Sequence, residues 1–85
     1  MKPVTVYTTA FCPYCSRALK LLRDKQVTVQ EISAGFDAKA KAEMMQRSNG
    51  ARTFPQIFIG DTHVGGCDEL MALERAGKLT PLLAN

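Results

Sequence analysis

The 85-residue chain has no tryptophan, one histidine and only three cysteines. Three thiols are too few, and odd in number, for the disulfide framework of a small secreted domain. No apolar run approaches the roughly 20 residues that a membrane-spanning helix needs. Met1-Lys2 leads into Pro3 and a short β-branched stretch, without the long apolar segment and small-residue cleavage site of a signal peptide. A soluble, cytoplasmic protein with no membrane partner is expected. Repeats, linkers and low-complexity tracts are missing too, so residues 1–85 are read as a single domain. The net charge of +3 is too small to argue for nucleic acid.

What the chain does have is an ordinary globular balance. Hydrophobic residues make up 46% and charged residues 22%, which excludes intrinsic disorder. The charge is unevenly spread. Lys2, Arg17, Lys20, Arg23 and Lys25 against Asp24 give the first 25 residues a net charge of +4. A thiol in that region sits in a mildly positive field, which favours anionic small molecules and acidic protein surfaces.

Residues 3–8 are β-branched and aromatic and read as a strand. Thr9-Ala10-Phe11 is a short loop, and Pro13 suits the first turn of a helix, where its missing N–H costs nothing. Beyond it Cys15, Ala18, Leu19 and Leu22 recur at helical spacing, with Arg17, Lys20, Arg23 and Asp24 on the opposite face. This pattern predicts an amphipathic helix over 13–25. Residues 27–32 form a second strand and close a right-handed parallel βαβ unit. Residues 37–48 read as a second helix, ended by Asn49-Gly50. Residues 55–59 and 62–64 form a hairpin across Gly60-Asp61. Asp68 is expected to cap a third helix that carries Leu70, Met71 and Leu73 and stops at Gly77. Residues 79–83 are a tail that covers the core. The order β-α-β-α-β-β-α predicts an α/β fold: a four-stranded mixed sheet with three helices, on both faces. The layout resembles the thioredoxin-like folds.

Cys12 and Cys15 carry the chemistry. Cys12 stands where the first strand gives way to the helix, and unpaired N–H groups and the helix dipole there favour a thiolate. Cys15 lies one turn on, on the same face. Cα atoms one turn apart are separated by roughly 5–6 Å, within the span a disulfide accepts. The spacing predicts an exposed attacking thiol at Cys12 and a more buried resolving thiol at Cys15. Cys12 attacks a disulfide and forms a mixed disulfide. Cys15 then attacks that bond, releases the reduced substrate and leaves Cys12–Cys15 oxidised. A zinc site built from Cys12, Cys15, His63 and Cys67 is the competing reading. It is disfavoured because structural zinc cysteines sit on loops or knuckles, whereas Pro13 launches a helix from within this pair. His63 reads instead as an exposed strand residue near a hairpin tip. Cys67 reads as a small buried residue at a helix start, with a secondary redox role as the alternative.

Three motifs in order, Tyr7-Thr8 leading to Cys12-Pro13-Tyr14-Cys15, then Thr53-Phe54-Pro55, then Gly65-Gly66-Cys67-Asp68, resemble the dithiol glutaredoxins of the small bacterial type. The resemblance covers essentially the whole chain. It implies a glutathione-dependent disulfide oxidoreductase, monomeric, with no tightly bound cofactor and no metal. Glutathione would be the co-substrate, regenerated by glutathione reductase and NADPH. Glutathionylated and disulfide-containing proteins would be the partners, ribonucleotide reductase among them at family level. Under this resemblance Gly66-Cys67-Asp68 opens the third helix, where N–H groups hold the γ-glutamyl carboxylate, and Asp68 pairs with the ammonium group. Thr53-Phe54-Pro55 resembles the family's cis-proline loop. A cis bond before Pro55 would offer the Phe54 N–H and C=O to the cysteine of glutathione, like an added strand. Tyr14 would wall the groove. Arg47, Arg52 and Gln46 are candidates for the glycine-end carboxylate.

Two positions depart from the family pattern. A lysine usually stands three residues before the first cysteine; Thr9 removes that charge and leaves thiolate stabilisation to the helix terminus. Phe54 stands where valine is usual, so the main-chain contact survives while the larger ring narrows the groove. Two further functions compete. One is a dimeric iron–sulfur carrier bridging a cluster through Cys12 and glutathione, which Pro13 and Cys15 disfavour. The other is a thioredoxin-like protein reduced by a flavoenzyme, against which the carboxylate-binding turn argues.

Overall fold

Pro3 has no N–H to give a sheet, and the first rung of the parallel ladder forms one residue later. In the computed structural model, which describes residues 1–84, strand β1 (Val4–Thr8) opens with the Val4 N–H donating to the Thr28 carbonyl at 3.0 Å. It pairs in parallel with β2 (Val29–Ser33), from Val4↔Val29 to Thr8↔Ser33. The second strand therefore starts two residues later than its β-branched run predicts: nothing before Val4 can continue the ladder. On its other side β1 pairs antiparallel with β3 (Gln56–Ile59), which pairs antiparallel with β4 (Thr62–Gly65). The order β2-β1-β3-β4 gives the expected four-stranded mixed sheet. Ile57 opposes Gly65 while Phe58 opposes His63, so Val64 is the extra residue of a β-bulge.

Side-chain alternation sends the two halves of each central strand to opposite faces. Val4, Val6, Ile57 and Ile59 face one side and are covered by α1 (Pro13–Asp24), α3 (Cys67–Arg75) and the one-turn α4 (Leu79–Leu83). Tyr7 and Phe58 face the other side and are covered by Met44 of α2 (Ala38–Arg47) together with Ala34. The tail at 79–83 is thus a fourth, short helix, with Leu79 and Leu83 buried in the core as expected of a cover. Among the described residues, no helix is long and apolar enough to cross a membrane.

The helix ends follow local chemistry. Asp37 caps α2, its Oδ1 accepting from the Lys39 and Ala40 N–H groups at 3.1 Å. Asn49 then turns the chain at φ 58°, and the Gly50 N–H returns to the Met45 carbonyl at 2.7 Å. The expected cap of α3 is corrected: Gly66, not Asp68, is the N-cap. The Glu69 carboxylate reaches back to accept from the Gly66 N–H at 2.7 Å, which is half of a capping box. Asp68 falls in the first turn instead.

Candidate active site

The Cys12 sulfur occupies the place that a serine or aspartate oxygen takes at many helix starts. Cys12 is the extended N-cap of α1, and its Sγ accepts from the Cys15 N–H at 3.1 Å. One orphan donor of the helix thus finds its acceptor in the sulfur. Phe11, just before it, is fully exposed and held at φ 56°. Such a conformation costs a bulky residue about 1–2 kcal/mol, and it falls in the loop that joins β1 to α1.

Cys15 is in a different medium. It is 3% exposed, while Cys12 is half-buried. Burial first, then hydrogen bonding to Cys12, pushes the Cys15 thiol from an ordinary 9.0 up to about 12, with the Thr9 main chain pulling the other way. At neutral pH Cys15 rests as a protonated thiol.

A groove lies beside this turn. Tyr14 forms one wall, Thr53, Phe54 and Pro55 form its floor, and Gly66, Cys67, Asp68 and Glu69 form the facing wall. The Phe54–Pro55 bond is cis. Gly65 sits at φ 116°, and a Cβ on it would lie 3.0 Å from the Glu69 side chain. A Cβ on Gly66 would lie 3.4 Å from the Pro55 carbonyl. Gly65 thus holds a left-handed turn that a side chain would strain against Glu69, and Gly66 lies within contact distance of the cis-proline loop. Cys67, 5% exposed, has its thiol pushed up by burial, with the Arg17 charge opposing.

The structure does not bring every candidate into this lining. Arg47 points to the α2 face of the sheet, where its Nη1 donates to the Tyr7 hydroxyl at 3.1 Å and its guanidinium lies 4.3 Å from the Phe58 ring centroid. Gln46 and Arg52 are exposed and outside the lining, Arg52 one residue ahead of Thr53. His63 stacks on Phe58 and bonds to Gln56. Among the described residues, no group of three or more His, Cys, Asp or Glu side chains is placed to hold a metal ion. Glu69 was missed by sequence reasoning, although its place three residues after Gly66 is a capping signature.

Gly35 was missed as well. The Ala34 N–H donates to the Thr8 carbonyl at 2.8 Å, which presses the loop after β2 against the one before Cys12. A Cβ on Gly35 would lie 1.8 Å from Thr9 Oγ1 and 2.6 Å from Thr9 Cβ. Gly35→Ala is expected to cost about 1–3 kcal/mol, as overpacking does. Thr9→Gly in the same chain recovers most of the loss. Urea denaturation of the three variants checks this; an equal loss in both backgrounds would remove Thr9 as its cause.

The glutaredoxin family model matches residues 4–64. A glutaredoxin of Pseudomonas aeruginosa is 56% identical over 84 residues, 99% of each chain. The solution structure of glutaredoxin from Brucella melitensis gives a TM-score of 0.82 at 53% identity, over 98% of this chain and 89% of that one. The crystal structure of a buckwheat glutaredoxin–glutathione complex gives 0.83 at 38% identity, over 96% and 76%. A family model over well more than half of the chain, together with a relative this similar along its whole length, answers the question the two thiols raised: this chain belongs to the glutaredoxin family of glutathione-dependent thiol–disulfide oxidoreductases.

Proposed function

We propose that the protein reduces protein–glutathione mixed disulfides through Cys12 alone and protein disulfides through the Cys12/Cys15 pair, with electrons supplied by glutathione. The observation that carries this reading is the Cys12 sulfur capping α1 while Cys15 stays buried one turn below. The Cys12 thiolate attacks the glutathione sulfur of a mixed disulfide and expels the protein thiolate, which takes up a proton. A second glutathione thiolate then attacks that sulfur, forms oxidised glutathione and returns Cys12 to the helix terminus as thiolate. With a protein disulfide, Cys15 resolves the mixed disulfide, and its proton leaves with the released thiol.

The groove suits a peptide with two carboxylates. The first turn of α3 directs N–H groups toward its mouth, a favourable place for the γ-glutamyl carboxylate. Asp68 offers a counter-charge for the neighbouring ammonium group. The Phe54 main chain pairs with the central cysteine, Tyr14 flanks it, and Arg52 is the basic group best placed in sequence for the glycine end. Glutathione reductase and NADPH would restore the reductant, in the reducing cytoplasm where such exchange is sustained. Ribonucleotide reductase, with its cycling disulfide, is a protein substrate of the right kind.

The test is turnover of a glutathionylated peptide with glutathione, glutathione reductase and NADPH, set beside a mixture in which thioredoxin reductase replaces glutathione and its reductase. Turnover is expected in the first mixture only. Equal turnover without glutathione would sink the reading.

A further inference from the structure

Gln56 directly follows Pro55 and is 3% exposed, so its amide must find partners inside the protein. Its Nε2 donates twice to Thr53, to the carbonyl and to Oγ1, each at 3.0 Å. Its Oε1 then faces His63 Nε2 at 2.7 Å. An amide oxygen only accepts, so His63 Nε2 carries the hydrogen and donates it. The imidazole is held in turn: it stacks on Phe58 with centroids 4.8 Å apart and planes 27° from parallel. Phe58 is buried, with Tyr7 edge-on at 5.7 Å and the Arg47 guanidinium over its ring. The β-bulge at Val64 sets His63 opposite Phe58.

We infer that His63 is a positioning residue for the groove, acting through Gln56 on Thr53; the inference rests on the glutathione-dependent reading above. By donating to Oε1, His63 holds the Gln56 amide with its NH2 toward Thr53. The Thr53 hydroxyl then accepts from Gln56, and its own hydrogen is left for an acceptor in the groove that Thr53 lines. A carboxylate or peptide carbonyl of the bound tripeptide meets a donor there. Without the His63 N–H, only the Thr53 carbonyl opposes a half-turn of the amide. The flipped amide places its oxygen against the Thr53 carbonyl and claims the hydroxyl hydrogen for itself, so the groove loses its donor.

His63→Phe tests this, because the ring stays against Phe58 while the N–H is lost. With a glutathionylated peptide as the varied substrate, KM is expected to rise about threefold to tenfold, the loss of one hydrogen bond, with kcat unchanged. In a Thr53→Val background the same substitution changes KM no further. An unchanged KM, a loss that falls on kcat, or a KM rise that persists in full beside Thr53→Val overturns the inference. A wild type without glutathione-dependent turnover overturns the parent reading and this one together, whereas a normal wild type beside a silent His63→Phe overturns this one alone.

Discussion

Cys12→Ser is expected to abolish turnover of protein disulfides and of glutathionylated proteins alike, by at least about 10³-fold, the scale on which deleting a covalent nucleophile acts. A serine hydroxyl can cap α1 as well as the thiol does, so the fold survives, yet it does not ionise near neutrality and is no match for a thiolate. Cys15→Ser behaves differently. With the proposed resolving thiol gone, protein-disulfide reduction is expected to stall at the mixed disulfide, while deglutathionylation should continue because glutathione itself resolves Cys12. Steady-state rates with a glutathionylated peptide and with a protein disulfide, measured on both variants, check the split. Deglutathionylation that survives in Cys12→Ser would move the nucleophile elsewhere, and Cys67, buried in the groove wall, would be examined next.

The second large effect concerns stability at high pH. Burial holds the Cys15 thiol protonated up to about 12 in the fold, whereas its ordinary value is 9.0. Below 9 both folded and unfolded chains keep that proton, and the burial of a neutral thiol costs nothing extra. Between 9 and 12 the unfolded chain releases the proton and the folded chain does not, so stability falls as pH rises. The slope reaches up to about 1.4 kcal/mol per pH unit for one such group. Cys67, raised in the same direction, adds to it. Cys15→Ala should flatten the decline, and denaturant titrations of both proteins under reductant at pH 9, 10 and 11 measure the difference. Parallel curves would mean that the Cys15 proton does not govern this window.

Under the proposed function, the same burial keeps Cys15 a neutral thiol at pH 7, so that it does not compete with Cys12 for incoming disulfides. Thr9 bears on this balance through its main chain, which hydrogen-bonds toward Cys15, and through its side chain, which meets Gly35. Position 9 is therefore a packing position here, whatever charge it lacks.

Much of this was legible in one dimension, because the deciding interactions are local. The β-branched run of β1, the apolar spacing of Cys15, Ala18, Leu19 and Leu22, the Asn49-Gly50 stop and the Gly60-Asp61 turn each act within a few residues. Pro13 between two cysteines places Cys12 at a helix start by the same local logic. Where two local signals competed, the reading slipped: Asp68 is a good cap by residue type, but Gly66 with Glu69 three residues on forms the reciprocal half of a capping box and starts the helix two residues earlier. Tertiary structure alone decided that β3 lies beside β1, and thereby that Tyr14, the Thr53–Pro55 segment and the start of α3 share one groove. It alone sent Arg47 to Tyr7 and Phe58 and tied His63 to Gln56. A long polar side chain carries no local mark of its partner, since that choice is made by whichever acceptors and rings the packed sheet brings within reach. The spacing of the two thiols at a helix start was determined by the sequence; the difference between them, one capping a helix and one buried beneath it, depends on a core that forms only when the whole sheet is assembled.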